Sequence, residues 1–277
     1  IRARFMSVYD SINFIGFTAG TFFAGLLIPV YGYVLPFYLF VVFNIFCGVV
    51  INFYVMEASY SKNPQKLTLM LKASFTGAFE EFNQLPKLFR EGGKYASYCV
   101  GIAVRGFGIA ASGPVLTVYL YRYLGASKPE IAFLTTLSSG IRIGVTPLLG
   151  LVADKKGRKR IFLTGVLLAT FYPLVYVNAS NVSQLYPVYV MHGFFWSCIE
   201  AAWFAWQMDL LPPRRGMFMG LLNFLNGMAW ALGPVVGGFL GQYLGVWWTV
   251  IVAAGVTGLG FMQLFRIPER IDFLKND

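Results

Sequence analysis

Apolar residues run through this chain in long blocks separated by short polar intervals, with none of the strict alternation that marks half-buried strands. Blocks long enough to cross about 30 Å of hydrocarbon fall near 11–31, 34–56, 96–120, 129–152, 161–178, 185–210, 217–241 and 245–265. They predict eight spanning helices, the first two joined by a tight turn at Tyr31-Gly32-Tyr33. Gly and Pro inside several blocks fit this reading, because neighbouring helices in a membrane bundle satisfy the backbone groups that such residues free.

The longest polar interval, about 57–95, carries mixed charge. Within it Leu67, Leu69, Leu71, Phe75, Phe79 and Phe82 recur closely enough for an amphipathic helix lying on the inner membrane face. Pro86 breaks that helix and leaves a second short piece up to Gly92-Gly93. The interval makes a natural boundary between two helical bundles.

Composition agrees with the pattern. The 277 residues are 57% hydrophobic and 12% charged, against roughly 25% charged in soluble domains, and mean hydropathy is +0.63. A water-soluble domain and a disordered chain are both excluded. Cys47, Cys99 and Cys198 are scattered through apolar blocks, which predicts small buried filler and no disulfide framework or metal cluster.

The net charge of +10 would fit a nucleic-acid partner, but its placement argues otherwise. If the block ends alternate between two sides, Arg122 and Lys128 fall on one side, and Arg105 and Arg142 lie inside blocks. The other 18 of the 22 basic residues share the opposite side, with a dense run at Lys155, Lys156, Arg158, Lys159 and Arg160. The positive-inside rule makes that side cytoplasmic, with both chain ends on it. The basic excess therefore reports orientation, and no nucleic-acid partner is expected.

Charged and polar groups inside the blocks carry the candidate chemistry. Glu200 lies mid-block in His192-Gly-Phe-Phe-Trp196-Ser-Cys-Ile-Glu200-Ala-Ala-Trp203-Phe-Ala-Trp206-Gln207, where a carboxylate is costly unless paired, protonated or facing water. Trp196, Trp203 and Gln207 share its helical side, a stripe suited to an amphipathic or cationic solute because indole faces stabilise cations. Arg105 and Arg142 are the internal partners expected for Glu200. Two cations against one acid also suit an anionic solute. Asn13, Asn223 and Asn226 are further cavity candidates, and His192, nearer the outer end, can titrate near neutrality. Asp10 reads as an inner-end cap. No P-loop, H-E-x-x-H pattern or nucleophile elbow occurs, so neither an enzyme nor a cofactor or metal is predicted.

A shift of 213 residues superposes the first block on the seventh. Arg2, Phe5, Met6, Asn13, Gly20, Gly25, Leu27 and Gly32 then fall on Arg215, Phe218, Met219, Asn226, Gly233, Gly238, Leu240 and Gly245. The repeat unit is six spans, so the chain holds one full unit preceded by the last two spans of another, and four further spans are expected ahead of Ile1.

Two motifs bring in a resemblance. Gly150-Leu-Val-Ala-Asp154-Lys-Lys-Gly157-Arg158-Lys159-Arg160 is similar to the short cytoplasmic loop motif of the major facilitator superfamily, and Gly233-Pro234-Val-Val-Gly237-Gly238 is similar to its glycine-proline motif. The resemblance implies an all-α integral membrane fold holding helices five to twelve of a twelve-helix carrier. In this scheme, residues 1–56 are the last two helices of an amino-terminal bundle, 57–95 a cytoplasmic linker, 96–266 the carboxy-terminal six-helix bundle and 267–277 a cytoplasmic tail. It further implies that spans one, three, four, six and seven face the cavity, with two, five and eight outside. In the first block, Gly20-Thr21-Phe22-Phe23-Ala24-Gly25 carries Thr21 where antiporters of the family have Pro, which leaves the direction of transport open.

Physical chemistry gives these motifs roles. Gly157 permits a tight turn, and Asp154 can cap the next helix and attract Arg158. The missing side chains at Gly233, Gly237 and Gly238 permit close helix approach, and Pro234 can bend its helix. The expected function is alternating-access secondary transport of a small organic solute in a cell membrane, plasma or bacterial inner. Proton-coupled efflux leads, with protons and membrane lipids as the other partners and a monomer as the working unit. The rivals are an uptake symporter or facilitator for an organic anion, and a non-transporting receptor or lipid scramblase.

Overall fold

The computed structural model describes residues 2–54, 85–211 and 215–270. Its helices are α1 (Arg2–Tyr31), α2 (Val34–Tyr54), α3 (Leu85–Val118), α4 (Lys128–Lys156), α5 (Arg158–Tyr176), α6 (Leu185–Leu210), α7 (Arg215–Tyr243) and α8 (Gly245–Phe265). A π-helical turn, Tyr119–Tyr123, extends α3, and a 3-10 turn, Val182–Gln184, precedes α6. These helices occupy the eight apolar blocks. The expected amphipathic helix lies outside the described residues.

Local chemistry sets the ends. Ser127 and Glu130 form a reciprocal capping box at the start of α4, with Pro129 in the first turn. The loop between α4 and α5 is the single residue Gly157, whose φ of 104° is closed to most side chains. At Gly93, α3 changes direction (φ 45°, ψ −114°). The sequence separates a short helical piece from the next span at that position; in the structure the two are joined by a kink. α1 and α7 end at Gly32 (φ 71°) and just before Gly245 (φ 81°), the two glycines equated by the internal repeat.

Among the described residues, five helices are long and apolar enough to cross a membrane: α1, α3 with its π-turn, α4, α7 and α8. The other three described helices differ for identifiable reasons. The apolar part of α2, Val34–Val50, is shorter. α5 opens on Arg158, Lys159 and Arg160, while α6 carries His192, Ser197, Glu200, Gln207 and Asp209. Polar groups of α6 can be tolerated because this helix is enclosed: Ser197 and Gln207 are buried, as are Phe195, Ile199, Ala202 and Trp206.

Around α6 pack α4, α5 and α1; α3 carries α7 and α8; α8 also meets α5, and α2 touches chiefly α1. Small residues permit the closest approaches. A Cβ on Gly237 would collide with the Ala111 carbonyl of α3, and one on Gly233 would sit 2.9 Å from the Phe107 carbonyl oxygen. Apart from its contact with α1, α2 presents Phe37, Phe40, Phe43, Phe46 and Phe53 outward, a surface matched to lipid tails. Cys99 and Cys198 are buried as expected. Cys47 is exposed, a correction that follows from the sparse packing of α2.

Candidate functional site

A cavity of about 470 Å³ opens among α3, α4, α5, α6 and α7, with Phe17 of α1 and Thr257 of α8 at its wall. That volume lies within the range usual for small-molecule sites. The walls are largely aromatic, from Tyr172, Tyr176, Tyr189, Phe195, Trp196 and Trp230, with Thr135, Ser138, Ser139, His192 and Arg142 as polar groups. The helix α5, expected outside, contributes Tyr172 and Tyr176 because its aromatic face lies against Tyr189, His192 and Phe195 of α6.

Arg142 lines this cavity and pairs behind the lining with Glu200. The guanidinium is bidentate on the carboxylate: Nε donates to Oε2 at 3.2 Å and Nη2 donates to Oε1. Both side chains are mostly buried, at 15% and 17% exposure, so the pair is shielded and directional. Arg142 also stands over the Phe14 ring of α1, 3.6 Å from its centroid, and 5.5 Å from that of Trp196. The ion pair of the α4–α6 wall therefore sits at the seam with α1.

A hydrogen-bond chain supports Trp196. Its indole N–H donates to His192 Nε2 at 3.1 Å, which leaves Nδ1 to carry the ring proton toward Ser138 Oγ, 2.7 Å away. This is a neutral imidazole fixed in one tautomer. It orients Trp196 against Arg142.

Arg105 takes a different place from the one expected. It is fully buried, and Nε, Nη1 and Nη2 have no hydrogen-bond acceptor among the described residues. Its guanidinium lies between the Phe162 and Trp203 rings, 5.5 and 5.2 Å from their centroids. The predicted stripe on α6 is thus divided: Trp196 faces Arg142, Trp203 faces Arg105, and Glu200 stands between them in sequence. Gln207 is buried further along, Asn226 Oδ1 is buried without a partner among the described residues, and Asn223 is exposed. The side chain of Asn13 lies outside the described residues. Pro234 lines the cavity; Gly238, unlike Gly233 and Gly237, faces open space.

The loop motif forms a second cluster where α4 meets α5. Arg158 bridges Asp154 Oδ1 at 3.1 Å and Asp209 Oδ2 at 2.6 Å. Glu269, beyond α8, accepts from the backbone N–H groups of Arg158 (2.7 Å) and Lys159 (3.2 Å). Glu269 therefore supplies the α5 cap that the sequence assigns to Asp154, because the N-cap residue Gly157 has no side chain to give. Lys159 Nζ donates to the Phe265 carbonyl at 2.8 Å and Trp206 Nε1 to that of Pro268 at 3.4 Å, which holds the segment after α8 against α5 and α6. Glu269 and Asp209 carry no signal in the sequence: both are acids at span ends, 111 and 51 residues from Arg158.

A helical membrane bundle with an internal aromatic cavity and a shielded ion pair on its wall defines a polytopic membrane protein with a solute-sized site. The chain belongs to the Major Facilitator Superfamily, whose profile matches residues 98–273. It is 30% identical over 174 residues to the tetracycline resistance protein, class E, of Escherichia coli, covering 61% of this chain and 42% of that protein. It is 28% identical over 166 residues to the puromycin resistance protein pur8 of Streptomyces alboniger (58% and 33%). With the quinolone resistance protein NorA of Staphylococcus aureus it shares 26% over 136 residues (49% and 35%). The matches thus span less than half the length of each of these relatives.

Proposed function

We infer that this chain forms helices five to twelve of a twelve-helix secondary carrier, which exports a small organic solute across a cell membrane by alternating access with protons as the coupling ion. The carboxy-terminal bundle is residues 96–266, α1 and α2 belong to the amino-terminal bundle, and a monomer is the working unit. The observation that carries the reading is the Arg142–Glu200 pair: it joins α4 to α6, with Arg142 lining the cavity and meeting Phe14 of α1 across the seam. A charge pair at that point responds both to a solute in the cavity and to movement of α1 along α4.

Export is supported by the similarity to tetracycline, puromycin and quinolone resistance proteins. In this mechanism Glu200 alternates between Arg142 and a proton or solute, and the cluster of Arg158, Asp154 and Asp209 braces one conformation at the cytoplasmic end. The test is accumulation of labelled tetracycline, puromycin or a quinolone in inside-out vesicles energised by a proton gradient. Accumulation above that of vesicles without the protein is expected; equal accumulation counts against export. A second reading, transport of an organic anion, is favoured by the buried positive surplus at Arg105.

A further inference from the structure

The helix interiors hold an unbalanced set of charges. In the middle third of the described helices, two arginines, Arg105 and Arg142, face one carboxylate, Glu200. Arg142 and Glu200 satisfy each other. Arg105 is fully enclosed; among the described residues no guanidinium nitrogen has an acceptor, and the nearby buried hydroxyl of Tyr98 has no partner either. Arginine does not shed its proton in a protein. The Phe162 and Trp203 faces offset part of the cost of burying that cation, but they accept no directed hydrogen bond from it.

The position of the deficit is informative. Trp203, the residue against Arg105, lies one helical turn from Glu200 on α6, so the two side chains share a face. Trp196, the residue against Arg142, lies one turn from Glu200 in the other direction. Glu200 is thus flanked on its own helix by the aromatic supports of both arginines. Arg142 is also the one permanently charged side chain among the described residues lining the cavity.

Building on the reading of this cavity as the solute site, we propose that it takes an aromatic organic monoanion: the solute's carboxylate binds Arg142 and the displaced Glu200 passes to Arg105. Before binding, Glu200 serves Arg142 and Arg105 has no acceptor among the described residues; afterwards each arginine has its own carboxylate, and the charge of this set is balanced. The vacant donors of Arg105 are the receiver that makes displacement of Glu200 feasible. The aromatic wall holds the solute body, and the Ser138–His192–Trp196 chain fixes the indole beside the carboxylate. Arg105 is a positioning residue that acts through Glu200.

The test uses the full chain in detergent, with naphthoate, naphthylmethanol and naphthylmethylamine as probes of equal shape and different charge, binding being read by tryptophan fluorescence and thermal shift. Naphthoate is expected to bind most tightly. Glu200→Gln removes the competitor for Arg142 and tightens naphthoate binding, whereas Arg105→Gln removes the receiver and weakens it at least about tenfold. Arg105→Lys keeps a cation there and restores part of the loss; it also stands in should Arg105→Gln fail to fold. A purely structural Arg105 would lower the melting temperature and leave the naphthoate Kd unchanged. Preference for the amine, loss of naphthoate binding in Glu200→Gln, or an unchanged Kd in both Arg105 variants each overturns the proposal. Because binding is read without flux, failure of the carrier reading shows separately, as naphthoate binding without transport.

Discussion

Alanine at Gly237 and alanine at Gly238 are predicted to move stability in opposite directions, although the two residues are neighbours on α7. A Cβ at Gly237 collides with the carbonyl oxygen of Ala111 and comes within 2.8 Å of its Cα, whereas a Cβ at Gly238 meets nothing within 4 Å. Backbone cannot rotate aside as a flexible side chain can, so Gly237→Ala has to push α7 away from α3. Overpacking of this kind costs about 1–3 kcal/mol, while Gly→Ala within a helix returns up to about 1 kcal/mol. Because the obstacle at position 237 is backbone, the upper part of that range, about 2–3 kcal/mol, applies there and leaves a net loss of about 1–2 kcal/mol; only the second effect acts at position 238. At about 2–4 °C per kcal/mol, Gly237→Ala should melt about 2–8 °C below the parent and Gly238→Ala at or slightly above it. The assay is thermal exposure of the buried thiols of Cys99 and Cys198 to a reactive dye, in a Cys47→Ser background that removes the exposed thiol. Equal melting of the two alanine variants would refute the close contact between α7 and α3.

Three further outcomes follow from the polar contacts. Glu269→Ala removes the cap on Arg158 and Lys159, costs about 0.5–2 kcal/mol and raises hydrogen exchange in the first turn of α5; unchanged exchange there contradicts the cap. Arg158→Gln and Asp209→Asn should couple by at least about 0.5 kcal/mol in a double-mutant cycle, and strict additivity would rule out their bridge. Glu200→Gln and Arg142→Gln each leave a charge without its counterpart and should cost up to about 3 kcal/mol, since the partial exposure of the pair moderates the penalty. The double variant should recover most of that loss; a double variant no better than the worse single one contradicts a mutual pair.

The helices were legible because lipid imposes a length and a composition on every block that crosses it, and the glycine turns at Gly32 and Gly157 were legible because few residues accept their backbone angles. Glu200 and Arg142 stood out for a similar reason: charge is rare in such blocks. Which arginine would take the glutamate was beyond local pattern, since Arg105 and Arg142 are equivalent in sequence terms and only the packing of α4 on α6 separates them. Glu269 was hidden for the same reason, a tail acid that becomes a cap only when the segment after α8 folds back to α5. The exposed face of Cys47 and the inward face of α5 likewise depend on which neighbours each helix finds, information that periodicity in α2 and α5 does not carry.

Solute flux in proteoliposomes tests the central claim most directly. Tetracycline, puromycin and a quinolone serve as probes under an imposed proton gradient, with the parent chain, Glu200→Gln and the exposed-surface control Tyr121→Phe, whose parent residue is 60% exposed, measured side by side. The account predicts gradient-dependent movement of at least one probe by the parent and by Tyr121→Phe, and its loss in Glu200→Gln. Flux that ignores the gradient, or that survives Glu200→Gln undiminished, would contradict a coupled carrier working through the Arg142–Glu200 pair.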